Sequence, residues 1–331
     1  RFSFIVPDRL GFNSQFVGLR KRILDESRIQ TLVYKVPFPG ITADTLIFVV
    51  EKGTADQKHV VSISEYGKKA ILTPQCELLK RPGYRFEYFE NADVMRMAAI
   101  VENAQNVVPV SGLCETTSGF GGKSQLITPV RQSKSQIKTI KGDSIGRYEL
   151  RKQYWFDFKK ENITGRTTDV VKLGAPEKLL LRKTGDSVIA TYDDSGVFPE
   201  QSLYFFYANR SSMSFKFILG ILNSRLINAY YKAVCLTNKK SIAQVKKVDL
   251  DQVPIRVLNL RDPIDKSRHD QMVAKVEAIL DAKKELANAK TDKDKTYYEN
   301  KCAALDRQID ALVYDLYGMT KEEIEIVEQQ K

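Results

Sequence analysis

A mixed α/β chain is what the sequence predicts, and three observations predict it. Between residues 2 and 72, short runs rich in β-branched and aromatic residues alternate with one helical stretch, which is α/β grammar. From about 106 to 262 the chain carries many Gly, Ser, Thr and aromatic residues at irregular spacing, the pattern of short strands and loops. From 263 onward apolar residues return at steps of three and four, the spacing of long helices. A length of 331 residues allows two cores, and 43% hydrophobic with 28% charged residues is ordinary for globular protein.

Taken in order, the first zone reads as "FSFIVP" for a strand, "SQFVGLRKRILDE" for a helix, then "IQTLVYKV", "DTLIFVVEKG" and "HVVSISEYG" for further strands. Between the second and third of these strands stands "KVPFPG". Phe38, set between Pro37 and Pro39 and followed by Gly40, reads as a rigid turn. An ordinary hairpin tip takes Asn or Gly, so Phe38 either folds back into a core or is held out to meet something flat. Residues 73–105 read as a connector. In the second zone one helix is expected over 214–232, with Phe217, Ile218, Ile221, Leu222 and Leu226 on its apolar face. In the third, Met272, Val276, Ile279 and Leu280 form one stripe. Tyr298, Cys302, Leu305, Ile309, Leu312 and Leu316 form another, so two long helices joined near "KTDKDK" should pack as an antiparallel hairpin. Gly318 stops the second helix, and Thr320 with Glu323 forms a capping box for a short final one.

The net charge of +11 and the pI near 9.3 suggest a polyanionic partner. The charge is concentrated. From Lys123 to Lys160 there are ten Lys or Arg against Asp143, Glu149 and Asp157, interleaved with Tyr148, Tyr154, Trp155, Phe156 and Phe158. Basic side chains contact phosphates, and Arg and aromatics beside them read base edges or shape. The candidate DNA-facing residues are therefore Lys123, Arg131, Lys134, Lys138, Lys141, Arg147, Tyr148, Arg151 and Lys152, with Lys239 and Lys240 of "TNKKSIAQVKK" as an extension of the same surface.

Other chemistries find little purchase. Cys76, Cys114, Cys235 and Cys302 lie far apart, and His59 and His269 are the only histidines, so no zinc site is expected and the thiols read as reduced and cytosolic. No apolar run approaches the roughly 20 residues of a membrane span. "SGFGGKS" lacks the glycine that a phosphate-binding loop needs where Thr117 stands. Asp294, Glu299 and Lys301 imitate a metal-dependent nuclease set but fall at the start of a charged helix, where a solvated face explains them. No catalytic set can be assembled from these residues.

The order "FSFIVPDRL", "LRKRIL", a strand, then "FPGITADTLIFVVEKG" resembles the last third of the catalytic domain of Taq-type DNA-adenine methyltransferases, including the large bacterial restriction–modification polypeptides. Downstream, "IKTIKGDSIGRYELRKQYW" looks like that family's G-K-D-I-x-R-Y segment, "KLLLRKTGDSVIATYDDSGVFPEQSLYFFY" like its next strands, and "ILGILNSRLINAYYKA" like its L-N-S helix. "VPIRVLN" and "IDALVYDLYGMTKEEIEIVE" are close to its C-terminal landmarks. Each motif alone is weak, but they stand in the family's order over nearly the whole chain.

The resemblance implies the truncated end of a Rossmann-like methyltransferase domain over 1–72, an α+β target-recognition domain over 106–262 and a C-terminal helical hairpin within 263–331. It also implies that the chain is the sequence-recognition portion of a bacterial, cytoplasmic DNA-adenine methyltransferase or restriction–modification enzyme, binding duplex DNA and positioning the target adenine. Phe38 matches the family's aromatic that stacks on the flipped adenine, where an aromatic face compensates part of the lost base stacking. The family's glycine-rich S-adenosylmethionine motif and its N-P-P-Y do not occur in the sequence. The expectation is a piece cut from a larger polypeptide, with no catalytic residue and no bound cofactor of its own. Its partners would be double-stranded DNA and an upstream catalytic region that holds S-adenosylmethionine, with Mg²⁺ only if the parent has a nuclease. Two rivals stay open: a freestanding nucleic-acid-binding specificity subunit, and an assembly subunit whose positive patch is incidental.

Overall fold

A computed structural model describes residues 1–40, 44–86, 88, 92–235 and 244–329. They divide into two compact units, Arg1–Glu102 and Asn103–Lys331.

The first unit is built on five strands, β1 (Phe2–Pro7), β2 (Ser27–Tyr34), β3 (Thr45–Lys52), β4 (Val60–Glu65) and β5 (Ile71–Pro74), in the order β1-β3-β2-β4-β5. β1 and β2 are each antiparallel to β3, and β4 is parallel to β2. Thus β1, β2 and β4 run one way, with β3 reversed between the first two. Helix α1 (Val17–Glu26) makes the crossover from β1 to β2, and α2 (Gln75–Lys80) and α3 (Ala92–Asn103) follow the sheet. Alternation along the strands puts Ile29, Leu32, Leu46, Val50, Val61 and Ile63 into one core with Leu24 of α1 and Leu78 of α2. Each such side chain contributes roughly 1.5–3 kcal/mol on burial.

The connector expected at 73–105 begins inside this unit. Gln75 accepts from the Ile29 N–H at 2.9 Å and donates to the carbonyls of Leu24 and Ser27, the Tyr34 hydroxyl donates to the Phe86 carbonyl at 2.8 Å, and Phe86 is part of the core. A boundary at 72 would have left those buried polar groups unpaired.

The second unit opens with β6 (Val107–Pro109) and α4 (Val110–Leu113), followed by β7 (Glu115–Ser118), β8 (Phe120–Gly122), β9 (Ile137–Ile140), β10 (Ile145–Gly146), β11 (Glu149–Leu150), β12 (Tyr154–Phe156) and β13 (Ile163–Arg166). Then come α5 (Val170–Leu173), β14 (Lys178–Arg182), β15 (Ala190–Asp193), β16 (Phe198–Pro199), β17 (Leu203–Tyr207), α6 (Phe215–Asn223), α7 (Arg225–Tyr230), α8 (Lys247–Leu250) and β18 (Pro254–Arg256). β6 pairs with β18, which ties the two ends of this long segment together. Inside it lie a four-stranded sheet, β15-β14-β17-β7, and a three-stranded one, β12-β9-β16. Phe120, Ile140, Phe156, Leu180, Leu203 and Phe205 share one core.

The single helix expected over 214–232 is two. Ser224 leaves helical geometry at ψ 156° and its hydroxyl accepts from the Ile227 N–H, so it ends α6 and caps α7. α6 is apolar on nearly all sides, and it packs so closely on a later helix that a Cβ at Gly220 would stand 2.6 Å from the sulfur of Met272.

The helical region follows the sequence closely. α9 (Pro263–Asn288) and α10 (Asp292–Leu316) are joined by three residues and pack on each other, burying Met272, Val276, Ile279, Cys302, Leu305 and Ile309. Gly318 takes φ 67° past the end of α10. Thr320 and Glu323 exchange the two capping-box hydrogen bonds at the start of α11 (Lys321–Gln329). No helix among the described residues is long and apolar enough to cross a membrane.

Candidate functional site

The basic run from Lys123 to Lys160 separates into an exposed part and a buried part. β12 and β9 are antiparallel, with Trp155 opposite Lys138. Opposite residues share a face, so Lys138 and Trp155 stand on the same side of the sheet. The chain before β9 completes this face. Thr128 and Trp155 exchange both backbone hydrogen bonds, at 3.0 and 2.8 Å, and the Arg131 guanidinium lies 4.8 Å from the centre of the Trp155 ring. Arg131 is fixed there by the carbonyls of its own loop, Ser133 at 3.0 Å and Lys134 at 2.6 Å. Gln136 accepts from the N–H groups of Gln132 and Ser133, which holds the loop's shape.

Lys123, Arg131, Lys134, Lys138 and Lys152 are exposed, and among the described residues none has a carboxylate in ion-pair contact. Lys141 is half-buried, its amine 5.0 Å from the centre of the Tyr154 ring, whose hydroxyl donates to Asp143. Arg151 is exposed but paired with Glu149 at 2.8 Å. Lys239 and Lys240 lie outside the described residues.

Two expected members of the surface are engaged by the fold, Tyr148 buried and Arg147 half-buried. Arg147 and Tyr148 form the tip of the β10–β11 hairpin, and that tip points into the unit. Arg147 holds Asp306 of α10 with two hydrogen bonds, 2.9 and 2.7 Å, and donates to the Asn223 carbonyl at 2.8 Å. Tyr148 is 1% exposed, with φ 59°. Its burial pushes the phenol pKa up. Beside this pair, Asp310 accepts from the Arg225 N–H at 2.8 Å, and burial pushes its carboxyl pKa up to about 6. Asn223 closes the edge of β15, accepting from the Ala190 N–H and donating to the Ala190 carbonyl. These residues fasten the strand region to the helices.

The glycines of "SGFGGKS" have a packing cause. β8 pairs with β13, and no helix follows it, only a 3-10 turn over Ser124–Leu126. A Cβ at Gly119 would meet the carbonyl oxygens of Pro199 and Glu200 at 2.3 Å, and one at Gly122 would meet the rings of Phe156 and Phe120. Asp294 serves the cap of α10, its N–H donating to the Thr291 hydroxyl at 3.1 Å. Among the described residues no group of three His, Cys, Asp or Glu could hold a metal ion.

In the first unit Phe38 is 45% exposed and is not part of the core. The base of its loop is pinned: the Lys35 N–H donates to the Thr45 carbonyl at 2.7 Å, and the Thr45 hydroxyl donates to the Val36 carbonyl at 2.6 Å. The ring is thus partly exposed and lies outside the core cluster.

Trp155 is the residue that sequence reading passed over as one aromatic among several. It is the chain's only tryptophan, set in "YWF" where its neighbours Tyr154 and Phe156 alternate to the opposite face, and that period of two was the available signal.

No curated protein matches the chain. Among solved structures it is similar to the Type IIL restriction–modification enzyme MmeI in complex with DNA, at 10% identity and a TM-score of 0.49, over 98% of this chain and 48% of that one. It is also similar to the Type IIG restriction endonuclease BpuSI, at 11% and 0.40 over 95% and 47%, and to an HsdS subunit from Thermoanaerobacter tengcongensis, at 12% and 0.35 over 68% and 50%. The chain thus spans about half the length of each. A family match falls on the strand segment of the second unit: residues 137–255, which carry Lys138 and Trp155, match the TaqI-like C-terminal specificity domain.

Proposed function

We propose that the second unit is a DNA-specificity module of a restriction–modification system, binding duplex DNA without catalysing a reaction itself. The observation that carries this reading is the Arg131–Trp155–Lys138 face, a guanidinium over an indole and an amine with no carboxylate in ion-pair contact among the described residues, two of whose three members lie in the segment that matches a specificity domain. Exposed cations of this kind release counterions from phosphates. A guanidinium held over an indole by its own loop is preorganised for groove contacts.

The test is duplex binding across a salt series. Replacing Arg131, Lys138 and Lys152 together by alanine should weaken binding and flatten the dependence of log K on log salt by up to about three contacts, near 0.9 per phosphate. A folded triple variant with an unchanged slope would place the interface elsewhere. Salt-independent binding, or none, would favour an assembly subunit.

The first unit supports a finer reading. Its β1, β2 and β4 run in parallel with β3 reversed between two of them, an order suited to the end of a Rossmann-like catalytic domain of an adenine methyltransferase. Phe38, outside the core on a pinned loop, would then stack on an adenine extruded from the duplex. S-adenosylmethionine and the methyl-transfer chemistry would belong to a catalytic region other than these residues. No residue here is assigned to it.

A further inference from the structure

The loop that leads into β9 carries Arg131, and its own hydrogen bonds give it one shape without a core beneath it. Residues 129–135 are all exposed. Thr128 is tied to Trp155 of β12 by both backbone hydrogen bonds, and its hydroxyl donates to the Val130 carbonyl at 2.9 Å. The buried Gln136 side chain accepts from the N–H groups of Gln132 and Ser133 at 2.6 and 3.2 Å. Arg131 bonds the carbonyls of Ser133 and Lys134, and the hydroxyls of Ser133 and Ser135 lie 2.8 Å apart. A loop braced in this way loses little further conformational freedom when a partner meets it.

The bracing uses the backbone of Val130 and Gln132 and spares both side chains. Val130 is 71% exposed, and among the described residues only one large apolar side chain, that of Val171, is more so. The Gln132 side chain is exposed and has no hydrogen-bond partner among the described residues. Arg131 stands between the two and Lys134 two positions beyond, cations with no carboxylate in ion-pair contact among the described residues. A lone exposed valine is ordinary on a protein surface. Here it sits on a braced loop, beside an unbonded amide, where the neighbouring cations would bring a phosphate backbone.

In the major groove those two groups answer to one base pair. Thymine presents its 5-methyl group, which takes an apolar contact, and the paired adenine presents N7 and its N6 amino group, which take a glutamine amide. We propose that loop 128–136 reads an A·T base pair in the major groove, with Val130 against the thymine methyl group and Gln132 on the adenine edge. This rests on the reading of the second unit as a DNA-specificity module and names the side chains through which that module reads sequence. Arg131, Lys134 and Lys138 supply phosphate contacts that set the loop's register and carry no sequence information.

The test selects duplexes from a random-sequence pool with the full chain and compares the recovered consensus between variants. The wild type should recover a sequence containing an A·T pair at which Val130→Ala and Gln132→Ala each cut the preference roughly tenfold. Both variants should keep the wild-type salt slope, because neither removes a charge. Replacing the thymine of that pair by uracil removes only the methyl group. The wild type should then lose about fourfold in affinity, the worth of one buried methyl group, and Val130→Ala should bind the thymine and uracil duplexes alike. A Val130→Ala variant that still prefers thymine to uracil, or a Gln132→Ala variant that keeps the full consensus, would overturn the assignment while salt-dependent binding left the DNA reading standing. A wild type that binds with a steep salt slope but recovers no consensus would also overturn the loop as a reader and leave the phosphate-contacting face in place. A wild type that binds no duplex removes both.

Discussion

Two arginines of the same basic run each lie over an aromatic ring, Arg131 over Trp155 and Arg147 over Tyr148, at 4.8 and 5.8 Å from the ring centres. Their surroundings differ in every other respect. Arg147 is held by both oxygens of Asp306 from a distant helix, and its tyrosine is sealed from solvent. Arg131 donates to carbonyls of its own loop, and among the described residues no carboxylate pairs with it or with the exposed cations beside it. One pair spends its donors on the fold and the other keeps its charge for a partner. Density of Arg and aromatics along a sequence marks both kinds alike, and the carboxylate across the fold separates them.

The contrast breaks most decisively at Arg147. Arg147→Met should destabilise the protein by roughly 2–3 kcal/mol, because the partly buried Asp306 and the Asn223 carbonyl lose the three hydrogen bonds of one charged donor. Removing Asp306 as well, as Asp306→Leu, should recover part of that loss. The measurement is urea denaturation of the single and double variants. Below the melting transition the salt slope of DNA binding should be unchanged. A stable Arg147→Met with a flattened slope would return Arg147 to the DNA surface.

Next in size is a pH effect at the same junction. Asp310 has its folded pKa raised to about 6 from an ordinary 3.8, chiefly by burial, with Asp306 adding to the rise and Arg225 opposing it. Between those values the folded state binds the proton more tightly than the unfolded chain does. Stability from this group is therefore greatest at low pH and declines as pH rises from about 4 through about 6. Asp310→Asn keeps an acceptor for the Arg225 N–H without the charge. Measured against that variant, the wild type should lose on the order of 2 kcal/mol between pH 4 and pH 7. A difference that stays flat across this window would mean that the carboxyl is not displaced.

These residues also mark where sequence reading stops. The helical hairpin, Gly318 and the capping box at Thr320 and Glu323 were legible because each depends on residues within a turn or two of one another. Arg147 with Asp306 was not, since 159 positions separate the partners and nothing local selects one arginine over the next. The break between α6 and α7 was missed because Ser224 interrupts an apolar stripe that continues on either side. Gln75 and Phe86 looked like linker until Ile29 and Tyr34 supplied their hydrogen-bond partners. At the candidate site the exposed lysines were legible as charge. Trp155 gained its meaning only from the register that sets it opposite Lys138.

The Arg131–Trp155 pair should behave in the opposite way to Arg147–Tyr148. Arg131→Met removes a cation–π contact at the surface, so stability should fall by less than about 1 kcal/mol. Duplex affinity should nevertheless drop several-fold, with a salt slope reduced by about one contact. Paired thermal melts and salt titrations check this. A melting loss comparable to that of Arg147→Met would erase the distinction between the two arginines.

The smallest expected effect on folding lies in the first unit, at Phe38. The ring is 45% exposed and outside the core, and the loop base is pinned by Lys35, Val36 and Thr45 rather than by the ring. Phe38→Ala should therefore change stability by no more than about 0.5 kcal/mol. Its effect should appear only where an adenine is already out of the helix. A duplex carrying a single bulged adenine avoids the cost of unpairing, and an aromatic that stacks on the base is worth roughly 1–3 kcal/mol. Wild type should prefer the bulged duplex over the fully paired one by at least several-fold, and Phe38→Ala should lose that preference while keeping its affinity for paired DNA and its salt slope. Competition binding with the two duplexes measures this directly. If the alanine variant instead melts several degrees lower and still prefers the bulge, Phe38 supports its loop and some other group meets the base.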